Sequence, residues 1–164
     1  APTYGGGQAP QAAGFNFDIT RWQRAEQITG AASLLLIISL FLPWFTATLT
    51  GGIAGNISVS ASGTKAHGYL WLVFFVALGV LAVLVIQAGF AQFPVNLPFS
   101  VPMLLTVLTG LNLLLVLLAF LIKPGTDGIT GVSVGWAFGA FVGLICAIAA
   151  FVPLVLPATK PQAR

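Results

Sequence analysis

Four runs of apolar residues, near 27–46, 68–89, 100–122 and 134–156, contain no Asp, Glu, Lys or Arg. Each is long enough to cross the roughly 30 Å hydrocarbon core of a bilayer, which takes about 20 helical residues. No water in that core can satisfy a backbone N–H or C=O, so each run must close its hydrogen bonds within itself, as an α-helix does. The runs are continuous rather than alternating, which argues against barrel strands. The expected fold is an all-α membrane protein, a bundle of four transmembrane helices. Composition agrees, since only 5% of the residues are charged where a soluble domain carries roughly a quarter.

An even number of spans puts both termini on one side. Arg21, Arg24, Lys160 and Arg164 lie on that side, against Lys65 and Lys123 in the opposite loops. This excess predicts cytoplasmic termini in a plasma (inner) membrane. The net charge of +3 is too sparse for a nucleic-acid surface. Aromatic side chains mark the interfaces: Trp22 the inner one, and Trp44, Phe45, Tyr69, Trp71 and Trp136 an outer belt.

The segments between and beside the spans are short. Pro, Gly, Gln and Ala dominate residues 1–14, which do not open as a signal peptide and read as a disordered tail. Residues 15–26 read as an amphipathic interfacial segment, with Asp18 as N-cap, Ile19 and Trp22 on one face, and Arg21 and Arg24 toward anionic headgroups. It either lies along the cytoplasmic surface or docks a partner. Residues 157–164 form a cytoplasmic tail. In the first outer loop Ile57 and Val59 alternate with Ser58 and Ser60, which suits a short β-hairpin turning near Gly51 to Asn56, although a flexible loop also fits. The second, KPGTDGITGVS, is shorter and turn-rich. Gly68, Tyr69, Trp71 and Phe74 repeat the spacing of Gly135, Trp136, Phe138 and Phe141; a duplicated hairpin and convergence on belt and packing rules both account for it.

No catalytic constellation is visible, and neither a cofactor nor a metal is expected. The carboxylates are Asp18 and Glu26 near the inner interface and Asp127 in an outer turn, so no pair can share one centre. His67, the lone histidine, sits beside Lys65 at the outer surface; the single cysteine, Cys146, lies inside an apolar run and reads as a packing residue. Span centres free of charge argue against an ion route. The deepest polar group is Asn112, whose amide should bond across to another helix or to a partner. Pro43, Pro102 and Pro153 all fall near span ends, where a lost backbone bond is tolerated.

Gly135, Gly139, Gly143 and Ala147 recur at intervals of four in the fourth run. On a helix they form one narrow stripe that allows close approach of a second helix. The second helix could be a sister span, another protein or a second copy of the chain.

The Pro/Gly/Gln-rich head, RWQRAEQ, a first span ending FLPWF, HGYLWL opening the second and GLNLLLVLLAFLIKPG closing the third together resemble small four-span membrane proteins of actinobacteria. The resemblance covers roughly residues 20–156. It extends to LucB-like accessory subunits beside the permease of mycobacterial MCE-type lipid importers, and to accessory subunits of the cytochrome bcc–aa3 supercomplex. What it implies is a non-catalytic subunit that stabilises or regulates a larger membrane complex, most closely an MCE-type lipid transporter, among membrane lipids. A homo-oligomeric lipid-binding membrane protein is the competing expectation.

Overall fold

A computed structural model of the chain describes residues 14–52, 55–90, 98–126, 128 and 130–156. The tail expected over 1–14 (Gly14 apart), the tail 157–164 with Lys160 and Arg164, and Asp127 lie outside the described residues. Four helices are long and apolar enough to cross a membrane: α1 (Arg24–Phe41), α3 (Leu70–Gly89), α4 (Val101–Leu121) and α5 (Phe138–Val155). At 18 to 21 residues each, and 1.5 Å per residue, they reach about 27–32 Å. Between α1 and α3 come strand β1 (Pro43–Gly52), strand β2 (Gly55–Ser62) and the single turn α2 (Gly63–Ala66); between α4 and α5 comes strand β3 (Val132–Trp136).

The helices close into a ring in which α1 and α4 each pack against both α3 and α5. Two polar bridges tie it together. The Thr29 hydroxyl donates to the Ala150 carbonyl at 2.8 Å, joining α1 to α5. Buried Glu26 accepts the Gln87 amide at 2.9 Å, joining α1 to α3, while its other oxygen accepts the Gln23 backbone N–H at 2.8 Å and caps α1. Asn112 does not play the bridging role expected of it. It is buried, but its Oδ1 has no hydrogen-bond partner among the described residues.

The fold is not all-α. β2, β1 and β3 form one antiparallel sheet in that order, so the two loops that leave the same end of the bundle are fused. The hairpin expected between the first two spans is present, and it starts earlier than the span boundary suggested. Leu42, before Pro43, takes an extended conformation (φ −74°, ψ 161°) and ends α1, as the residue preceding a proline tends to do. The first helix therefore stops at Phe41, not near 46. The fourth starts at Phe138, not 134, because Val132–Trp136 pairs with Leu49–Phe45. Gly131 begins that pairing at φ +84°, where an added Cβ would also lie 3.1 Å from the Thr50 carbonyl oxygen; only glycine meets both demands.

Of the segment expected over 15–26, residues 24–26 open α1, and Asp18 is an N-cap as expected, but of a single short turn. Residues 14–23 run extended along the terminal end of α3, with Asn16 N–H to Gly89 O at 2.9 Å and Asp18 N–H to Ala88 O at 3.0 Å, before one 3-10 turn at Ile19–Arg21. The last carbonyls of a helix lack intrahelical donors. Here the docked segment supplies them, and Phe15, Phe17 and Ile19 are left facing outward, each at least half exposed.

Candidate functional site at the sheet

The sheet's two faces are chemically opposite. Phe45, Ala47 and Leu49 of β1 pair with Ala61, Val59 and Ile57 of β2 and with Trp136, Val134 and Val132 of β3. Directly opposed residues share a face, so all nine side chains on this side are apolar. Thr46 and Thr48 pair with Ser60 and Ser58 and with Gly135 and Ser133, which makes the reverse side a field of hydroxyls.

The base of the apolar face is anchored on the helix ends. Phe45 is buried and meets His67 edge-on, with centroids 5.4 Å apart. Trp136 stacks on Phe120 at 5.3 Å and 9°, and its indole N–H donates to the Phe120 carbonyl at 3.0 Å. The Lys123 ammonium lies 3.8 Å from the centre of the Trp136 ring, a cation–π contact that fixes a positive charge at the foot of the sheet. A cavity of about 290 Å³ opens against this face. It is lined by Phe45, Ala47, Val59, Ser60, Ala61, Val132 and Val134 from the strands, by Ala66 of α2, and by Pro124, Gly125 and Thr126 just past α4. Beyond the cavity the face lies open, with Leu49 39% and Ile57 51% exposed.

The anticipated belt divides. Trp136 is partly exposed at the foot of the sheet, and Tyr69 and Trp71 are exposed where α3 begins, with Trp71 packed edge-on against Phe41 and Phe74. Burial raises the Tyr69 hydroxyl above its ordinary pKa. Trp44 is no anchor: it is completely buried, its indole N–H donates to Ser39 O at 2.7 Å, and its carbonyl accepts the Ala137 N–H at 2.7 Å. Alternation along β1 turns Trp44 inward wherever Phe45 faces the cavity. At the terminal end Trp22 donates to the Leu84 carbonyl at 2.8 Å and Arg21 to the Ala88 carbonyl at 3.0 Å, so both are tied to α3, whereas Arg24 is exposed.

The small-residue stripe is also broken. Gly135 sits in β3 opposite Thr46, with open space where a Cβ would be. Gly139, Gly143 and Ala147 do lie on α5, and they are buried inside this chain. A Cβ on Gly139 would fall 2.5 Å from the Pro43 carbonyl oxygen, and one on Gly143 would fall 2.5 Å from the Trp44 ring. In the repeated aromatic spacing Trp71 and Phe138 both stand in the first turn of a helix, α3 and α5, and Phe74 and Phe141 follow within them, whereas Tyr69 directly precedes α3 and its counterpart Trp136 lies in β3.

Among the described residues, no three His, Cys, Asp or Glu side chains cluster as metal ligands do. Asp18 is spoken for by the Thr20 hydroxyl and amide, at 2.6 and 2.9 Å, which hold its carboxyl below the ordinary pKa. What the sheet offers is an apolar docking surface with charge at its foot. The alternation that builds it, Phe45-Thr46-Ala47-Thr48-Leu49 and Val132-Ser133-Val134, overlaps the end of the first apolar run and the start of the fourth. The chain matches no protein-family model, no curated protein and no solved structure.

Proposed function

We propose that this protein is a non-catalytic accessory subunit that packs against a larger membrane complex and stabilises or regulates it, the complex being an MCE-type lipid transporter and its permease the direct neighbour. The termini are cytoplasmic and the sheet faces the other side, as the four-to-two division of Arg and Lys between the two sides favours. The observation that carries the reading is the open pair Leu49 and Ile57 at the end of the apolar face. Covering one such side chain is worth on the order of 1.5–3 kcal/mol. A sheet that opposes Thr46 and Thr48 to serines on one side and leaves Leu49 and Ile57 uncovered on the other is built to be covered by another protein. The competing homo-oligomeric reading loses its contact, because Gly139 and Gly143 are already filled by Pro43 and Trp44 of the same chain.

The test is isolation from native membranes in mild detergent, with quantitative mass spectrometry of what accompanies the protein. The reading expects permease components at fixed stoichiometry, and impaired lipid uptake in cells that lack the protein. Recovery of the chain alone, with lipid uptake intact after deletion, would contradict it.

A further inference from the structure

We infer that the cavity under the sheet is a binding site for one anionic phospholipid, whose acyl chain lies against the apolar face and whose phosphate is held by Lys123 and Lys65. The lining carries the first half of this. It is mostly carbon, from Phe45, Ala47, Val59 and Val134, with Ser60 and Thr126 as its hydroxyl-bearing residues, and the cavity's volume of about 290 Å³ is just below that of small-molecule pockets, roughly 300–1,000 Å³. A polar metabolite would find too few partners there, whereas an acyl chain needs none.

Depth and charge carry the second half. The apolar run of α4 ends at Ile122, Lys123 follows, and Pro124 to Thr126 already line the cavity. The cavity therefore begins just past the apolar run of α4, where hydrocarbon gives way to headgroups. Two lysines adjoin lining residues in the chain: Lys123, whose ammonium lies over Trp136 and which precedes Pro124, and exposed Lys65, which immediately precedes Ala66. Lys–phosphate attraction near a membrane surface is worth about fivefold in affinity per lysine. Asp127, which follows Thr126 in the sequence, subtracts from that field, so two lysines prevail over one carboxylate and the preference for an anionic headgroup is modest. This site does not depend on a protein partner.

The test uses the purified full chain in nanodiscs containing a phosphatidylglycerol or a phosphatidylcholine with a photoactivatable group near the end of one acyl chain, followed by peptide mapping. Labelling by the phosphatidylglycerol probe should concentrate on β1, β2 and β3 around Ala47 and Val59, and should exceed that by the phosphatidylcholine probe about fivefold or more. Lys65→Gln with Lys123→Gln should abolish the headgroup preference while leaving the labelled positions unchanged. Ala47→Phe should remove strand labelling by filling the cavity. Val59→Trp, at a position 65% exposed and so tolerant of bulk, should do the same if Ala47→Phe fails to fold. Strand labelling that is absent in the wild type, unaffected by both filling variants, or equal for the two headgroups would overturn the proposal.

Discussion

The Trp44 indole N–H donates to the carbonyl oxygen of Ser39 at 2.7 Å, across the corner where the first helix becomes the first strand. The ring then lies on two glycines, Gly63 and Gly143, so closely that a Cβ on either would come within 3.0 Å of it. One side chain thus joins α1, the sheet, α2 and α5. Trp44→Ala should cost about 3–5 kcal/mol by the cavity it leaves. Trp44→Phe keeps most of the bulk but loses the donor, and should cost about 1 kcal/mol. Unfolding in mixed micelles titrated with dodecyl sulfate measures both; equal and negligible losses would show that the corner is not held this way.

The glycine series separates strand from helix. Gly139→Ala forces a methyl group to 2.5 Å from the Pro43 carbonyl oxygen, a backbone atom with little freedom to retreat, and should destabilise by about 1–3 kcal/mol. Gly135→Ala places its methyl group in open space and should be close to neutral. A continuous helical stripe would make the two changes comparable, so the same unfolding titration distinguishes the geometries.

At the other end of the bundle, Arg21 reaches the Ala88 carbonyl at 3.0 Å, where a cation also meets the negative end of the α3 dipole. Arg21→Ala should weaken the docking of residues 14–23 by about 1 kcal/mol. Hydrogen exchange at the Asn16 and Asp18 amides, which donate to Gly89 and Ala88, should accelerate about fivefold. Unchanged protection would show that the segment is held without the arginine.

The same segment carries an acid-sensitive cap. Hydrogen bonds from Thr20 lower the Asp18 pKa from its ordinary value of 3.8, so the folded form favours the carboxylate. The contribution is present above pH 3.8 and is lost as pH falls through the lowered folded value. Exchange of the Thr20 amide, followed from pH 5 downward and corrected for its intrinsic rate, should show protection fading only below the ordinary aspartate range. Asp18→Asn should remove that pH dependence.

Helix number and approximate position were legible in the sequence because charge-free runs of this length have one inexpensive solution in lipid. The hairpin was legible from Ile57 and Val59 against Ser58 and Ser60. Strand β3 was not, since Val132-Ser133-Val134-Gly135-Trp136 runs without a break into the apolar residues of α5, and its partner β1 lies more than 80 residues earlier. Strand preference of that kind depends on a neighbour that local pattern does not reveal. Trp44 and Trp136 pose the same difficulty. A tryptophan at the end of an apolar run looks identical whether it faces headgroups or the core, and here one is partly exposed and the other sealed. Asn112 shows a further limit: a mid-span amide is easily recognised, but whether a partner stands opposite depends on helix rotation.

In the proposed complex the open end of the apolar face is covered by another protein in the native membrane. The direct measurement is quantitative co-isolation of the wild type and of Leu49→Lys with Ile57→Lys, two substitutions at exposed positions that should leave the unfolding midpoint within about 0.5 kcal/mol of the wild type. The account predicts a stoichiometric membrane complex with the wild type and at least a tenfold loss of it, about 1.4 kcal/mol, with the doubly charged sheet. The same complex recovered in equal amount with both would contradict it.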